Sequence, residues 1–186
     1  MVLFSKMSSS AIAAIGSLAA MVGGGPFNLE KGQWTDDTSM ALCLAHSLLH
    51  KRSFDPADQM NRYCNWRNYG YMSSNGECFD IGMTVSDALR KYLETKEPFS
   101  GSVDKFASGN GSIMRLAPIP IYYFGDIDDC IKYAGESSRT THGSLLCIES
   151  CKLFGAQKWA IKCQSESPLP KFVASRQVTP QFDLFK

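Results

Sequence analysis

One strongly apolar helical segment constrains the fold of this chain more than any other feature. It follows Trp34 in the stretch QWTDDTSMALCLAHSLL. One stripe at helical spacing is formed by Met40, Cys43, Leu44 and Leu48, and it is widened by Ala41, Leu42, Ala45 and Leu49. A helix that is apolar over so much of its circumference is typical of the inside of a helical bundle. The segment therefore predicts an all-α core.

The rest of the chain agrees with an all-α fold, because few segments alternate like strands and none pair into a hairpin. Asp55 is the expected N-cap of a helix that begins at Pro56. Pro118 and Pro120 predict an irregular or kinked helix. In all, helices are predicted at 8–22, 34–49, 56–66, 84–93, 113–124, 126–136 and 141–162. We expect one helical domain over 1–163 and a tail or unfinished element over 164–186.

Composition excludes several classes of function. The 186 residues include 19 Lys and Arg against 18 Asp and Glu, which argues against a nucleic-acid partner. No apolar run reaches the ~18–20 residues that span a bilayer. The seven cysteines are scattered without a C-x-x-C pair, so we expect buried thiols and a cytoplasmic location. The run AIAAIGSLAAMV after Lys6 has two interpretations, a weak signal peptide or an Ala-rich buried helix, and we prefer the helix.

Thr35, Asp36 and Asp37 begin the apolar helix and admit two interpretations. Adjacent carboxylates beside hydroxyls supply the hard oxygen ligands that Mg²⁺ selects. Alternatively, Thr35 or Asp36 caps the helix and Asp37 complements its dipole. From spacing alone the capping interpretation is favoured, although a cap needs only one short polar residue.

Three further sites have similar alternatives. Asp80, in FDIGMT, is expected to cap the next helix or to act in a site. The segment Ser108–Ser112 reads SGNGS, which is typical either of a plain turn or of a loop whose backbone N–H groups approach a phosphate. His142 also lies at a predicted helix start, where a structural histidine is the more common case.

Taken together and in order, four segments resemble the ADP-ribosylglycohydrolase family, the relatives of dinitrogenase-reductase-activating glycohydrolase. These segments are QWTDDTSMALCLAHSLL, CFDIGMTVSDAL, SGNGSIMRLAPIPIYY and ESSRTTHG, and the match covers roughly residues 21–155. The resemblance implies an all-α fold with a binuclear Mg²⁺ site, in which Mn²⁺ is a common substitute. It also implies hydrolysis of the glycosidic bond between ADP-ribose and a protein side chain, often arginine.

The resemblance assigns roles to particular residues of this chain. Thr35, Asp36 and Asp37 match the family's first metal-binding motif, and Asp80 matches a carboxylate that faces the substrate ribose. The expected catalytic carboxylates are therefore Asp36, Asp37 and Asp80. The loop that holds ribose and diphosphate is matched by Gly109, Asn110, Gly111 and Ser112. His142 matches a residue that lines the ADP-ribose cleft.

The sequence also departs from the family pattern at both ends. The family's second metal motif, Asp-x-Asp followed by Thr or Ser, is missing, and 125–129 (GDIDD) has the position of an ordinary helix start. The N-terminal Gly-Asp-Ala-Leu-Gly-like loop is replaced by the run into MVGGGPFNLEKGQWTDDT. We interpret these departures as truncation and alteration by deletion, splicing or a gene-model error. They predict weak metal binding and little or no hydrolase activity for the chain by itself.

Two classes of function follow. The first is an ADP-ribosyl hydrolase that acts on ADP-ribosylated protein, with residual activity or completed by another chain. The second is a catalytically inactive ADP-ribose-binding or structural protein on the same scaffold. An incomplete bundle also exposes apolar faces, which predicts self-association.

Overall fold

The computed structural model describes residues 21–164, with side chains through 161. Six α-helices follow one another: α1 Asp36–Lys51, α2 Pro56–Tyr69, α3 Met83–Thr95, α4 Pro118–Tyr122, α5 Ile127–Arg139 and α6 Leu145–Gln164. A short 3-10 helix covers Lys105–Ala107. Over these residues the structure confirms the all-α fold, and isolated bridges are its only extended pairings. The helix predicted at 8–22 and the tail predicted at 164–186 lie almost entirely outside the described residues.

Helix α1 contributes to both hydrophobic clusters of the bundle, as its apolar stripe predicts. Met40 and Cys43 are fully buried in a cluster with α2 and α3, whose other members are Met60, Tyr63, Cys64, Trp66, Val85, Leu89 and Tyr92. Leu44 and Leu48 enter a second cluster, with Leu116, Ile119, Cys130, Ala134 and Cys151. The predicted widening of the stripe is wrong at two positions, because Leu42 and Leu49 are exposed to solvent.

The starts of α2 and α5 follow from side-chain capping. The Asp55 side chain accepts a hydrogen bond from the backbone N–H of Asp58 at 2.9 Å, which confirms it as the N-cap of α2. Asp126 caps α5 in the same way by accepting from the N–H of Asp129 at 3.0 Å. The GDIDD segment is therefore an ordinary helix start, as predicted.

Two helices differ from the predicted bounds by four residues or more at their start. The segment with Pro118 and Pro120 forms only the short helix α4, preceded by turns at 110–115. Prolines lack the N–H donor of a continuous helix but fit its first turn. Helix α6 begins at Leu145 rather than Thr141, because the backbone at His142 forms a parallel bridge to Ser102.

Helix α6 exposes several large apolar side chains: Leu145, Leu146, Leu153 and Ile161. Self-association through such faces stays a prediction.

Between residues 21 and 164, no helix combines the length and apolar character needed to cross a membrane. The cysteines from Cys43 to Cys151 are all free thiols, and five of the six are buried.

Candidate functional site

The start of α1 is built differently from the capped starts of α2 and α5. Thr35 occupies the N-cap position with extended backbone but makes no side-chain capping bond. Its hydroxyl instead donates to Oδ2 of Asp37 at 3.5 Å. Thr35 and Asp36 are both buried. Side-chain capping by Thr35 is therefore wrong, whereas Asp36 and Asp37 do lie in the first turn, where carboxylates complement the helix dipole.

Asp36 lies in a crowded acidic environment. Burial, followed by the nearby carboxylates of Asp37 and Asp80, raises its pKa to about 7. Burial also raises the pKa of Asp37, with Asp80 adding to the effect and the Thr35 hydroxyl opposing it. The fold thus brings together the three carboxylates predicted to be catalytic. Such a cluster is costly to ionise and favours a nearby cation.

Asp80 does not cap α3, so that interpretation is wrong. The N-cap of α3 is Gly82, and Asp80 has left-handed backbone with φ of 58°. Aspartate tolerates this conformation better than most residues, but the backbone is still strained there. This conformation is close enough to Asp36 for the Asp80 carboxylate to raise the pKa of Asp36.

The loop that carries Asp80 is fastened to the start of α1 through Trp34. Its indole Nε1 donates to the carbonyl oxygen of Met72 at 3.2 Å. In return, the hydroxyl of Ser74 donates to the carbonyl oxygen of Trp34 at 2.6 Å. These two bonds connect the loop that leads to Asp80 with the start of α1, and no sequence pattern predicts this role for Trp34.

The glycine loop packs directly against His142. A Cβ added to Gly111 would lie 2.7 Å from Cε1 of His142 and 3.1 Å from Cγ2 of Val85, so a larger residue does not fit there. At Gly109 the same construction gives an ordinary contact of 3.8 Å to Nε2 of His142. The glycine at position 111 is thus required by the imidazole, whatever the loop binds.

His142 is buried, and its environment keeps it neutral. Burial and the charge of Arg115 lower its pKa to about 4. Nδ1 of the ring lies 2.9 Å from the hydroxyl of Thr141. Two backbone hydrogen bonds join the segment around His142 to residues 101–102. The N–H of Gly143 donates to the carbonyl of Ser102 at 2.8 Å, and the N–H of Gly101 donates to the carbonyl of Arg139 at 3.1 Å. A neutral imidazole in this position can donate or accept one hydrogen bond.

Asn110 and Ser112 have different environments. Asn110 is exposed, and its carbonyl accepts from the N–H groups of Ile113 and Met114. Ser112 is buried, where its hydroxyl accepts from Ser138 at 3.0 Å and from the thiol of Cys151 at 3.4 Å. The loop leads into turns rather than a regular helix, so its anion-binding capacity would come from loop amides. Its predicted binding roles stay predictions.

The structure thus forms two groups from the predicted residues. The carboxylate group contains Asp36, Asp37 and Asp80, and the loop group contains 109–112 with His142. The first turn of α3 adjoins both groups, since Asp80 precedes the helix in the chain and Val85 packs against Gly111. A cavity of about 240 Å³ opens beside the loop group and is lined by Ser108, Gly109, Asn110, Ser112, Ile113, Leu146, Cys147 and Ser150.

The donor chemistry of the carboxylate group fits a hard cation. Mg²⁺ is bound in many proteins by one or two carboxylates with water completing its octahedral shell. Within residues 21–164, however, no cluster of three or more His, Cys, Asp or Glu side chains has the geometry to hold a metal ion. The predicted Mg²⁺ ligands Thr35, Asp36 and Asp37 therefore stay predictions.

Comparison with known proteins places this chain in a class of helical glycohydrolases. The sequence model for ADP-ribosylglycohydrolase matches residues 4–180, and the chain belongs to that family. It is 42% identical over 137 residues to ADP-ribosylarginine hydrolase Tri1 of Pseudomonas putida (strain GB-1), covering 74% of this chain and 37% of that protein. The family resemblance of the sequence motifs is confirmed.

Other relatives and a solved structure agree. The ADP-ribosyl-[dinitrogen reductase] glycohydrolase of Rhodospirillum rubrum is 31% identical, over 73% of this chain and 43% of that protein. Human ADP-ribosylhydrolase ARH3 is 34% identical, over 61% of this chain and 31% of that protein. A chain of a solved ADP-ribosylglycohydrolase-related protein complex matches with a TM-score of 0.59 and 41% identity, covering 73% of this chain and 42% of that one. The chain thus spans less than half the length of these relatives.

Proposed function

We propose that this chain acts in the hydrolysis of the glycosidic bond between ADP-ribose and a protein side chain such as arginine. The single observation that carries the proposal is the convergence of Asp37 and Asp80 on the buried Asp36. Breaking a glycosidic bond develops positive charge on the sugar, which carboxylates stabilise. Relatives named as ADP-ribosylarginine hydrolase and ADP-ribosylhydrolase support this chemistry.

The remaining site residues would position the substrate. Backbone N–H groups of 109–112 would bind the ribose and diphosphate, because loop amides bind anions without a charged side chain. Neutral His142 would line the cleft and hydrogen bond to the bound ADP-ribose. Holding the ribose beside Asp80 in this way supplies the orientation that speeds bond cleavage.

Mg²⁺, or Mn²⁺ in its place, is proposed as the cofactor. Thr35, Asp36 and Asp37 would hold it as part of a shell completed by water and other groups. When bound, such a cation orients a water or the ribose hydroxyls and lowers the pKa of a bound water. The carboxylates of this chain would then be ionised together at neutral pH.

A hydrolysis assay tests the proposal. Release of ADP-ribose from an ADP-ribosylated arginine substrate, whether residual in this chain or restored by a completing chain, should require Mg²⁺ and disappear in Asp36→Asn. The control is Asp128→Asn, which removes one negative charge from an exposed position outside the site. Release that is unchanged by Asp36→Asn would contradict the assignment.

A second candidate function is binding of ADP-ribose without cleavage. It is favoured by the close packing of the loop group on His142, while the described residues form no cluster of metal ligands. Binding of ADP-ribose with no release would support this candidate. Absence of both binding and release would contradict both proposals.

We also propose a reducing, cytoplasmic location and ADP-ribosylated protein or ADP-ribose as the binding partner. The location rests on the free thiols from Cys43 to Cys151. The partner follows from the proposed reaction.

A further inference from the structure

Arg115 is the most unusual charged residue in the described part of the chain. Its side chain is fully buried, with 0% exposure. Nη1 donates to the carbonyl oxygen of Gly111 at 3.1 Å. Nη2 donates to the carbonyl oxygen of Ser137 at 3.1 Å and to the hydroxyl of Thr140 at 3.1 Å. Arg115 ends the segment SGNGSIMR, and the family resemblance assigns it no role.

The partners of this buried cation are neutral. Among the described residues, they are two carbonyls, a hydroxyl and the face of the Tyr63 ring, whose centroid lies 4.7 Å away. Ser137 lies in the last turn of α5, where the helix dipole is negative. A buried charge is costly unless it is well paired, so its retention calls for a specific role. These contacts place it between the glycine loop and the end of α5.

The geometry of the guanidinium explains why arginine is needed here. Its two terminal nitrogens hold fixed directions, one toward Gly111 and one toward Ser137 and Thr140. A lysine ammonium is a single point on a flexible stem and cannot span both acceptors with the same geometry. The Arg115 side chain therefore holds the Gly111 carbonyl at a fixed position relative to the end of α5, in addition to carrying a charge.

Gly111 connects the Arg115 guanidinium to His142. Its Cα packs so closely on His142 that a single added carbon would clash with the imidazole. A shift of the Gly111 carbonyl would consequently change the gap between the loop and His142. The charge of Arg115 also lowers the pKa of His142, next to the hydroxyl of Thr141.

We propose that Arg115 is a positioning residue for ADP-ribose, which fixes the 109–112 loop against His142 through the carbonyl of Gly111. Arg115 does not touch the ligand in this proposal. The inference rests on the proposed function, because it concerns the same binding loop. It names the residue that sets the geometry of that loop.

The test compares the 186-residue chain with Arg115→Lys and Arg115→Met, using ADP-ribose titration calorimetry and NMR titration of His142. Arg115→Lys keeps the charge but loses the fork, so we expect about tenfold to a hundredfold weaker ADP-ribose binding with the pKa of His142 still low. Arg115→Met should weaken binding similarly and also raise the pKa of His142. The control, Arg139→Met, removes a half-exposed cation from the same end of α5 and should change neither.

The outcomes separate this inference from the proposed function. If the wild-type chain does not bind ADP-ribose, the proposed function fails, and the inference is judged on the amide NMR shifts of 109–112 and the His142 titration. Folded Arg115 variants with unchanged affinity, loop shifts and His142 pKa would overturn it. If both variants fail to fold, Thr140→Val removes one acceptor of Nη2, and unchanged affinity and loop shifts in that folded variant would also overturn it.

Discussion

The indole of Trp34 is hydrogen bonded to the carbonyl oxygen of Met72 across 3.2 Å, and this contact joins the start of α1 to the loop that carries Asp80. The two residues are 38 positions apart in the sequence. The return bond from Ser74 to the carbonyl of Trp34 makes the connection reciprocal. The spacing between the carboxylates of Asp36 and Asp80 therefore depends on an aromatic residue outside the acidic motif.

Replacement of Trp34 tests this connection. Trp34→Phe keeps an aromatic ring but removes the indole donor, and we expect a loss of about 1 kcal/mol in the free energy of unfolding. Urea denaturation measures this change. Trp159→Phe is the control, because Nε1 of Trp159 is buried without a partner among the described residues. An equal loss in both variants would show that the bond from Trp34 contributes nothing specific.

The glycine loop offers a matched pair of substitutions. Gly111→Ala should displace His142 or the loop and lower the free energy of unfolding by about 1–3 kcal/mol. Gly109→Ala meets only an ordinary contact and should change stability far less. Thermal melts of both variants measure the difference. Equal melting temperatures would mean that the close packing of Gly111 on the imidazole is not rigid.

The pKa of His142 predicts a pH dependence of stability. Because its folded pKa, about 4, lies below the ordinary value of 6.5, the folded state favours the neutral imidazole. The stability from this group is complete above pH 6.5 and falls as pH drops toward 4, by up to about 3 kcal/mol. Urea denaturation from pH 7 to 4 should show this loss, and it should shrink in His142→Gln. A His142 resonance titrating near pH 6.5 would contradict the prediction.

The crowded carboxylates predict an effect of charge removal. Without divalent cations, Asp36→Asn should raise the melting temperature, by about 2–4 °C for each kcal/mol of repulsion relieved. Burial and the neighbouring charges of Asp37 and Asp80 are the reason. Asp128→Asn, at an exposed site, should have little effect. A lower melting temperature for Asp36→Asn would show that its carboxylate is stabilised in the chain alone.

The sequence predicts the helical bundle well because the apolar residues of α1 form one stripe at helical spacing. Met40, Cys43, Leu44 and Leu48 are buried as their spacing requires. Periodicity could not settle the faces of Leu42 and Leu49, since the width of the buried stripe depends on which helices pack beside it. It also missed the late start of α6, which depends on the long-range bridge between Ser102 and His142.

For the candidate site, the sequence predicted residues but not the contacts that hold them in place. The motif around Asp36 and the glycines of the loop stood out because polar and small residues interrupt apolar helices. The role of Arg115 depends on acceptors in α5, and that of Trp34 depends on the loop at Met72, so neither is a local property. The one usable signal was Arg115 itself, a charged residue set between Met114 and Leu116 in an apolar run.

The most direct test of the account is a thermal melt of the 186-residue chain with and without Mg²⁺ plus ADP-ribose. Ligand that binds only the folded state raises the melting temperature. We predict a cooperative transition that moves upward with both ligands present, and a smaller shift in Asp36→Asn or Arg115→Lys. A cooperative transition that does not move with ligand would contradict the proposal that these carboxylates and the 109–112 loop form an ADP-ribose site.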